Sequence, residues 1–200
     1  PTNFSFRVKA YPNEKFVGGD VVKGFNAGNT QRKKNIRILH YISADKFLIR
    51  IGLNTQEDEL FAGKGYSMAD PTEVLDDIHF HKDESGAVMY KQDHFSAPNL
   101  KLDFERDYLN GDVIHLKSND VQGWDLERMQ EHIRFEMNEK GVEVENDARM
   151  EMVKGGINEE PLPKNLLLNK PYWVIMKRKD SPRPYFILGV RNTAMMKAAD

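Results

Sequence analysis

Two histidines set two residues apart, His79-Phe80-His81, are the first side chains here that offer metal chemistry. Residues i and i+2 of a β-strand point to the same face, so on a strand both imidazoles reach one ion. Asp77 or Glu84 stands close enough in sequence to add a carboxylate, and His94 a third imidazole. Such a nitrogen-rich set suits zinc, copper, iron or nickel. The same spacing also lets Ile78 and Phe80 face a core while both histidines face water, and that plainer arrangement is the one expected. No other catalytic signature stands out: the chain has no Gly-x-Ser-x-Gly elbow, no GxxxxGK[ST] loop and no GxGxxG fingerprint. With no cysteine in 200 residues there is no thiol nucleophile, thiolate metal site or disulfide framework.

The histidine pair resembles the HxH element of cupins, a resemblance that implies a metal-bound sandwich enzyme. A second constellation is Asn119, Trp124, Glu127 and Arg128, within residues 113–128. This stretch resembles the sugar-binding segment of the galectins, β-sandwich lectins in which an Asn-Ser turn leads to a Trp-Gly-x-Glu-x-Arg element. The resemblance implies that Trp124 stacks on the apolar face of galactose while Asn119, Glu127 and Arg128 hydrogen-bond its hydroxyls. The glycine after the Trp is absent here, and Arg128 follows Glu127 directly. Against this stands Trp124 as a loop anchor capping a core edge, the usual fate of so large an amphipathic ring.

Residues 168–177, followed by Tyr185-Phe186-Ile187-Leu188-Gly189-Val190, resemble the final strand pair of serpins. A serpin is a far longer chain with many helices, and its small-residue hinge is replaced here by residues 144–149, Val-Glu-Asn-Asp-Ala-Arg. Protease inhibition is therefore set aside at this point, since an internal repeat accounts for the same hairpin.

That repeat supplies the elements that must position these residues. Gly18-Gly19-Asp20-Val21-Val22 recurs as Asn110-Gly111-Asp112-Val113-Ile114, and the strand at residues 4–8 recurs at 100–104. Apolar and polar residues alternate at 36–38 and 47–51, where Arg37 and Arg50 interrupt the isoleucines, predicting a hairpin about Ser43-Ala44-Asp45 with one buried and one wet face. Hairpins are expected at 78–90 and 174–188. Asp70-Pro71 is a start signal for a short helical turn within 67–77. A longer helix is expected over 125–136, and residues 93–99 read as a boundary. The fold expected is all-β: two related antiparallel β-sandwich, jelly-roll-like units, residues 1–96 and 97–200, written by internal duplication. One larger pseudosymmetric sandwich is the alternative.

Formal net charge is −2 from 29 basic and 31 acidic side chains, so no overall field draws the chain to nucleic acid or anionic lipid. No apolar run approaches the ~18 residues of a membrane span, and no charged-then-apolar leader opens the sequence. These features and the lack of cysteine favour the cytoplasm or nucleus, with secretion left open. The function expected is a non-enzymatic binding protein without cofactor, its partner a glycan held at Trp124. A structural or self-assembling β-protein that binds other proteins or its own copies is the alternative, and a cupin-like metal enzyme using His79 and His81 comes third.

Overall fold

The computed structural model describes residues 4–7, 21–26, 33, 35–53, 57–82, 86–117, 120, 124–138 and 162–196. The glycine turn at 18–20, Glu84, Asn119 and residues 144–149, which replace the small-residue hinge, lie outside them. The described chain is all-β apart from one helix, built as open sheets.

The middle layer is a six-stranded antiparallel sheet. Its order is β14 (Pro184–Val190), β13 (Tyr172–Arg178), β5 (Asp58–Lys64), β4 (Lys46–Ile51), β3 (Ile36–Ser43) and β6 (Ala87–Val88). Strand β4 reads Lys-Phe-Leu-Ile-Arg-Ile and β13 Tyr-Trp-Val-Ile-Met-Lys-Arg. Such near-continuous apolar runs belong to strands covered on both faces. Alternate residues serve two cores: Phe47, Ile49, Ile51, Tyr172 and Val174 point into one, Leu48, Trp173 and Ile175 into the other. The wet face expected opposite the isoleucines is therefore largely covered, by a helix.

That helix, α1 (Thr72–Phe80), lies on the second core through Val74 and Ile78, one turn apart. Opposite, the first core is closed by a four-stranded sheet in the order β1 (Phe4–Arg7), β2 (Val21–Asn26), β7 (His94–Pro98) and β12 (Asn165–Leu167). It contributes Val22, Phe25, Phe95, Ala97 and Leu166. Strand β12 runs parallel to β7, whereas β2 is antiparallel to both of its neighbours. Both larger sheets draw strands from either side of residue 96, so hydrogen bonds tie the two halves of the chain together.

Strand β7 passes through Asn99 into β8 (Leu100–Asp107), which pairs with β11 (Gln130–Met137) as a two-stranded ribbon. At the far end of the ribbon a small pair, β9 (Ile114–His115) and β10 (Asp125–Leu126), extends the chain.

Three sequence expectations change here. The hairpin placed at 78–90 is instead the end of α1 followed by the two-residue strand β6. The helix placed at 125–136 is β10 and β11. The breaker read at 96–99 falls largely within strand β7 (His94–Pro98). Among the described residues no helix is long and apolar enough to cross a membrane.

Candidate functional site

Helix α1 starts where Asp70-Pro71 foretold: the Thr72 N–H donates to Asp70 Oδ1 at 2.9 Å. Glu73 in its first turn accepts from the Ser67 N–H (3.1 Å) and from Lys46 Nζ (2.6 Å), which fixes the helix to the end of β4. Close approach is permitted by Gly63 on β5, where a Cβ would stand 2.7 Å from Val74 Cγ2. The helix thereby presents Asp77 and His81, a turn apart, toward β3. His81 lies just past the last helical residue, and its backbone N–H donates to Asp77 O at 3.1 Å.

The third member of this cluster, His40, arrives through an irregularity. In the β3–β4 ladder Ile38 faces Ile49 and His40 faces Leu48, so Leu39 is the extra residue of a bulge. A bulge reverses which face the following side chains take. Ile36 and Ile38 point to the first core, Leu39 joins the second, and His40 is carried to the helix side. There His40 Nδ1 lies 2.7 Å from Asp77 Oδ2, and the Tyr66 hydroxyl donates a short hydrogen bond to the same oxygen. Asp77 Oδ1 lies 3.4 Å from His81 Nε2, and the two imidazole rings are 5.6 Å apart.

The electrostatics follow from these contacts. Burial opposes ionisation of Asp77, but the hydrogen bonds from Tyr66 and His40 outweigh it, so the carboxyl stays below its ordinary range. Burial first, and then the neighbouring Asp77 carboxylate, push the Tyr66 phenol far above its ordinary value, leaving it a fixed donor. The side chains of Asp77 and His81 are 16% and 13% exposed and that of His40 is 34%, so the cluster opens to solvent at His40. One ligand atom from each of His40, Asp77 and His81 lies within 4.8 Å of the others, a grouping able to hold a metal ion.

The structure separates the expected histidine pair. Positions two apart on a helix diverge, so His79 is exposed on another side of α1 while His81 enters the cluster. Asp77, named from the sequence as a partner, is present; His94 is exposed on β7 and stands outside the group. His40 escaped notice because a single bulge, invisible in the alternation of β3, delivers it.

Trp124 sits beside the β9–β10 pair, its backbone oxygen accepting from the Leu116 N–H at 3.0 Å, and it is 70% exposed, not a cap on a core edge. Glu127 and Arg128 are exposed on the same connection. Around them Phe104, Tyr108, Val113 and Met129 are exposed apolar residues of the ribbon and its extension. The ribbon's inner face is different: Ile133, Phe135 and Met137 line a groove of about 600 Å³ with Phe25, Ile51 and Leu60. Phe135 stacks on Phe186 of β14 at 5.0 Å. Strand β11 pairs with β8 along one edge, and among the described residues its other edge pairs with no strand.

This arrangement of sheets and one helix among the described residues is similar in fold to solved serpin structures. Its solved counterparts include the native state of tengpin, a thermophilic serpin, at a TM-score of 0.53 and 12% identity, with 95% of this chain and 49% of that chain covered. They also include Serpin48 of the insect Tenebrio molitor, at 0.44 and 10%, covering 87% and 46%. The chain thus spans about half the length of these structures. No family model matches the chain, and no curated protein does. At this identity the likeness to tengpin establishes the fold.

It also overturns the galectin-like reading, and with it the glycan-binding lectin, because the fold is similar to that of tengpin and not to a lectin sandwich. Trp124, Glu127 and Arg128 are exposed and lie beside the small strands β9 and β10. The two alternatives, a cupin-like metal enzyme and a self-assembling β-protein, find no support in this fold either: His79 and His81 share no strand, and the neighbours are serpins. The serpin resemblance set aside at residues 168–190 points to the same fold; β13 and β14 form that hairpin.

Proposed function

We propose that this chain forms the strand-rich body of a serpin-type protease inhibitor, acting through addition of a strand along β11 and not through catalysis. The observation that carries the reading is the edge of β11 that no other described strand pairs, on a body whose fold is similar to tengpin. Loop insertion into a sheet is a form of β-strand addition, in which main-chain hydrogen bonds hold the new strand and alternate side chains select it. The ribbon is suited to that. Its outer face alternates Gln130, His132, Arg134 and Glu136, which keeps an open edge soluble, while Ile133, Phe135 and Met137 anchor it to the body. The sequence between Met137 and Asn165 joins the ribbon to the four-stranded sheet, so both its ends are fixed in the same body.

The test is to mix the protein, in its natural full length, with a trypsin-like and a chymotrypsin-like serine protease and follow residual protease activity with time. Progressive loss of activity, together with slowed amide hydrogen exchange across residues 130–137, is the expected outcome. Full protease activity, with the protein either untouched or merely cleaved as a substrate, would overturn inhibition. Inhibition with unchanged exchange at 130–137 would overturn strand addition at β11.

A further inference from the structure

We propose that His40, Asp77 and His81 bind one zinc-class divalent ion, a site that ties α1 to β3. The proposal is independent of strand addition, because the cluster lies across the six-stranded sheet from the first core and shares no residue with the ribbon.

The donor set comes first. Two imidazoles and one carboxylate are borderline ligands that favour zinc, nickel or copper over calcium and magnesium, which require oxygen. Three protein ligands are also the number found where a zinc ion keeps one position open to water. The partial exposure of His40 gives that water and the entering ion a path.

Geometry distinguishes a metal site from a plain hydrogen-bonded cluster. With metal–ligand bonds of about 2.0–2.2 Å, two ligands of a tetrahedral ion stand roughly 3.3–3.5 Å apart. Asp77 Oδ1 and His81 Nε2 are 3.4 Å apart, the separation of two ligands on one ion and longer than a well-formed N–H···O bond. His40 hydrogen-bonds the other carboxylate oxygen, and small side-chain rotations bring one of its nitrogens onto the same point, since all three ligand atoms already lie within 4.8 Å.

The supporting groups are in place as well. Metal-bound carboxylates are themselves hydrogen-bonded by a second rank of residues. Tyr66 does this to Asp77 Oδ2, and its ring is held in the second core beside Val74 and Trp173. The helix and its C-cap residue supply Asp77 and His81 at i and i+4, and the bulge at Leu39 supplies His40 from a strand. A site drawn from two elements joins them, and occupancy should stabilise the contact between α1 and the sheet by mass action.

The experiment strips the full protein with a chelator, then titrates it with Zn²⁺ by calorimetry and with Co²⁺ by visible absorption. One Zn²⁺ per chain, and the intense visible bands of a tetrahedral Co²⁺ site, are expected. H81Q and H40Q should each weaken zinc binding at least tenfold. Y66F, which keeps the packing of the ring, should weaken it about 10- to 100-fold. H79Q should leave it unchanged. Circular dichroism reports whether each variant is folded; if H40Q or H81Q fails to fold, Y66F carries the test. Failure to take up stoichiometric zinc overturns the site. So does zinc binding that persists unchanged in folded H40Q, H81Q or Y66F protein, which would place the ion on the exposed pairs His115–Asp125 or His132–Asp103.

Discussion

The six-stranded sheet and the β8–β11 ribbon are both antiparallel and both carry apolar alternation, yet they occupy opposite environments. In the sheet, Phe47, Leu48 and Ile49 are successive residues of one strand and all are fully buried, because a core lies on either face. In the ribbon, Phe104 on β8 is exposed and Ile133 and Phe135 on β11 are only partly buried, because just one face meets the body. What separates the two regions is the number of layers above them, not composition. A strand with a layer on each side supplies stability; a strand with a free edge and one free face is available for partners.

The largest expected effect lies in the sheet. Phe47→Ala removes a fully buried ring from the first core and should cost about 3–5 kcal/mol, read as a fall in the denaturant midpoint with little change in slope. A loss below ~1 kcal/mol would mean that the first core is not packed as described, and the contrast with the ribbon would collapse.

A smaller effect sharpens the comparison at the end of the same sheet. Lys64 is 2% exposed, and its ammonium donates to Ala44 O, Leu167 O and Asn169 Oδ1 at 2.7–3.0 Å, with Asp45 Oδ1 at 3.2 Å as counter-charge. Gly65 makes the turn possible: at φ +84 its missing Cβ would lie 2.2 Å from Asp45 O. The hydrogen bond from Lys170 holds the Asp45 carboxyl below its ordinary range; burial opposes this, and Lys64 adds to the lowering.

A depressed carboxyl contributes stability that is whole above the unfolded value of about 3.9 and is lost as pH falls through the folded one. Asp45→Asn should therefore lower stability at neutral pH by under about 1 kcal/mol, the range for a pair whose acid is more than half exposed. The gap from the parent protein should close in acid and shrink in high salt. A gap that persists unchanged at low pH would show that Asp45 acts through packing and not charge.

These elements also show what can be read in advance. The β3–β4 and β13–β14 hairpins were legible because period-two alternation and turn residues agree there; Ser43 Oγ accepts the Asp45 N–H, and Ser181 Oγ accepts the Arg183 N–H. The start of α1 was legible from Asp70-Pro71, but its end was not: Ile78 and Phe80 alternate as in a strand, although Val74 and Ile78 form the stripe that is buried. The reverse happened at 125–136, where Leu126, Met129 and Ile133 have helical spacing while Ile133, Phe135 and Met137 carry the strand. Short apolar runs fit both periods, and tertiary packing chooses. In the cluster of His40, Asp77 and His81, the last two were within reach of the sequence. His40 depends on where one ladder slips by a residue, which no local pattern records.

The smallest expected effect belongs to the ribbon's end and decides how the comparison should be understood. Trp124 is 70% exposed, and its backbone oxygen accepts from the Leu116 N–H. Trp124→Ala should change stability by no more than ~0.5 kcal/mol, as for a surface position without special contacts. Trp124 fluorescence, isolated in a Trp173→Phe background, should be that of a hydrated indole. If the substitution instead costs 2 kcal/mol or more, or the fluorescence is shifted to the blue, the ring is covered in solution. The exposed apolar residues of β8 and β9 would then belong to a packed face. The ribbon would become a third load of the fold's stability, in place of the accessible element that strand addition requires.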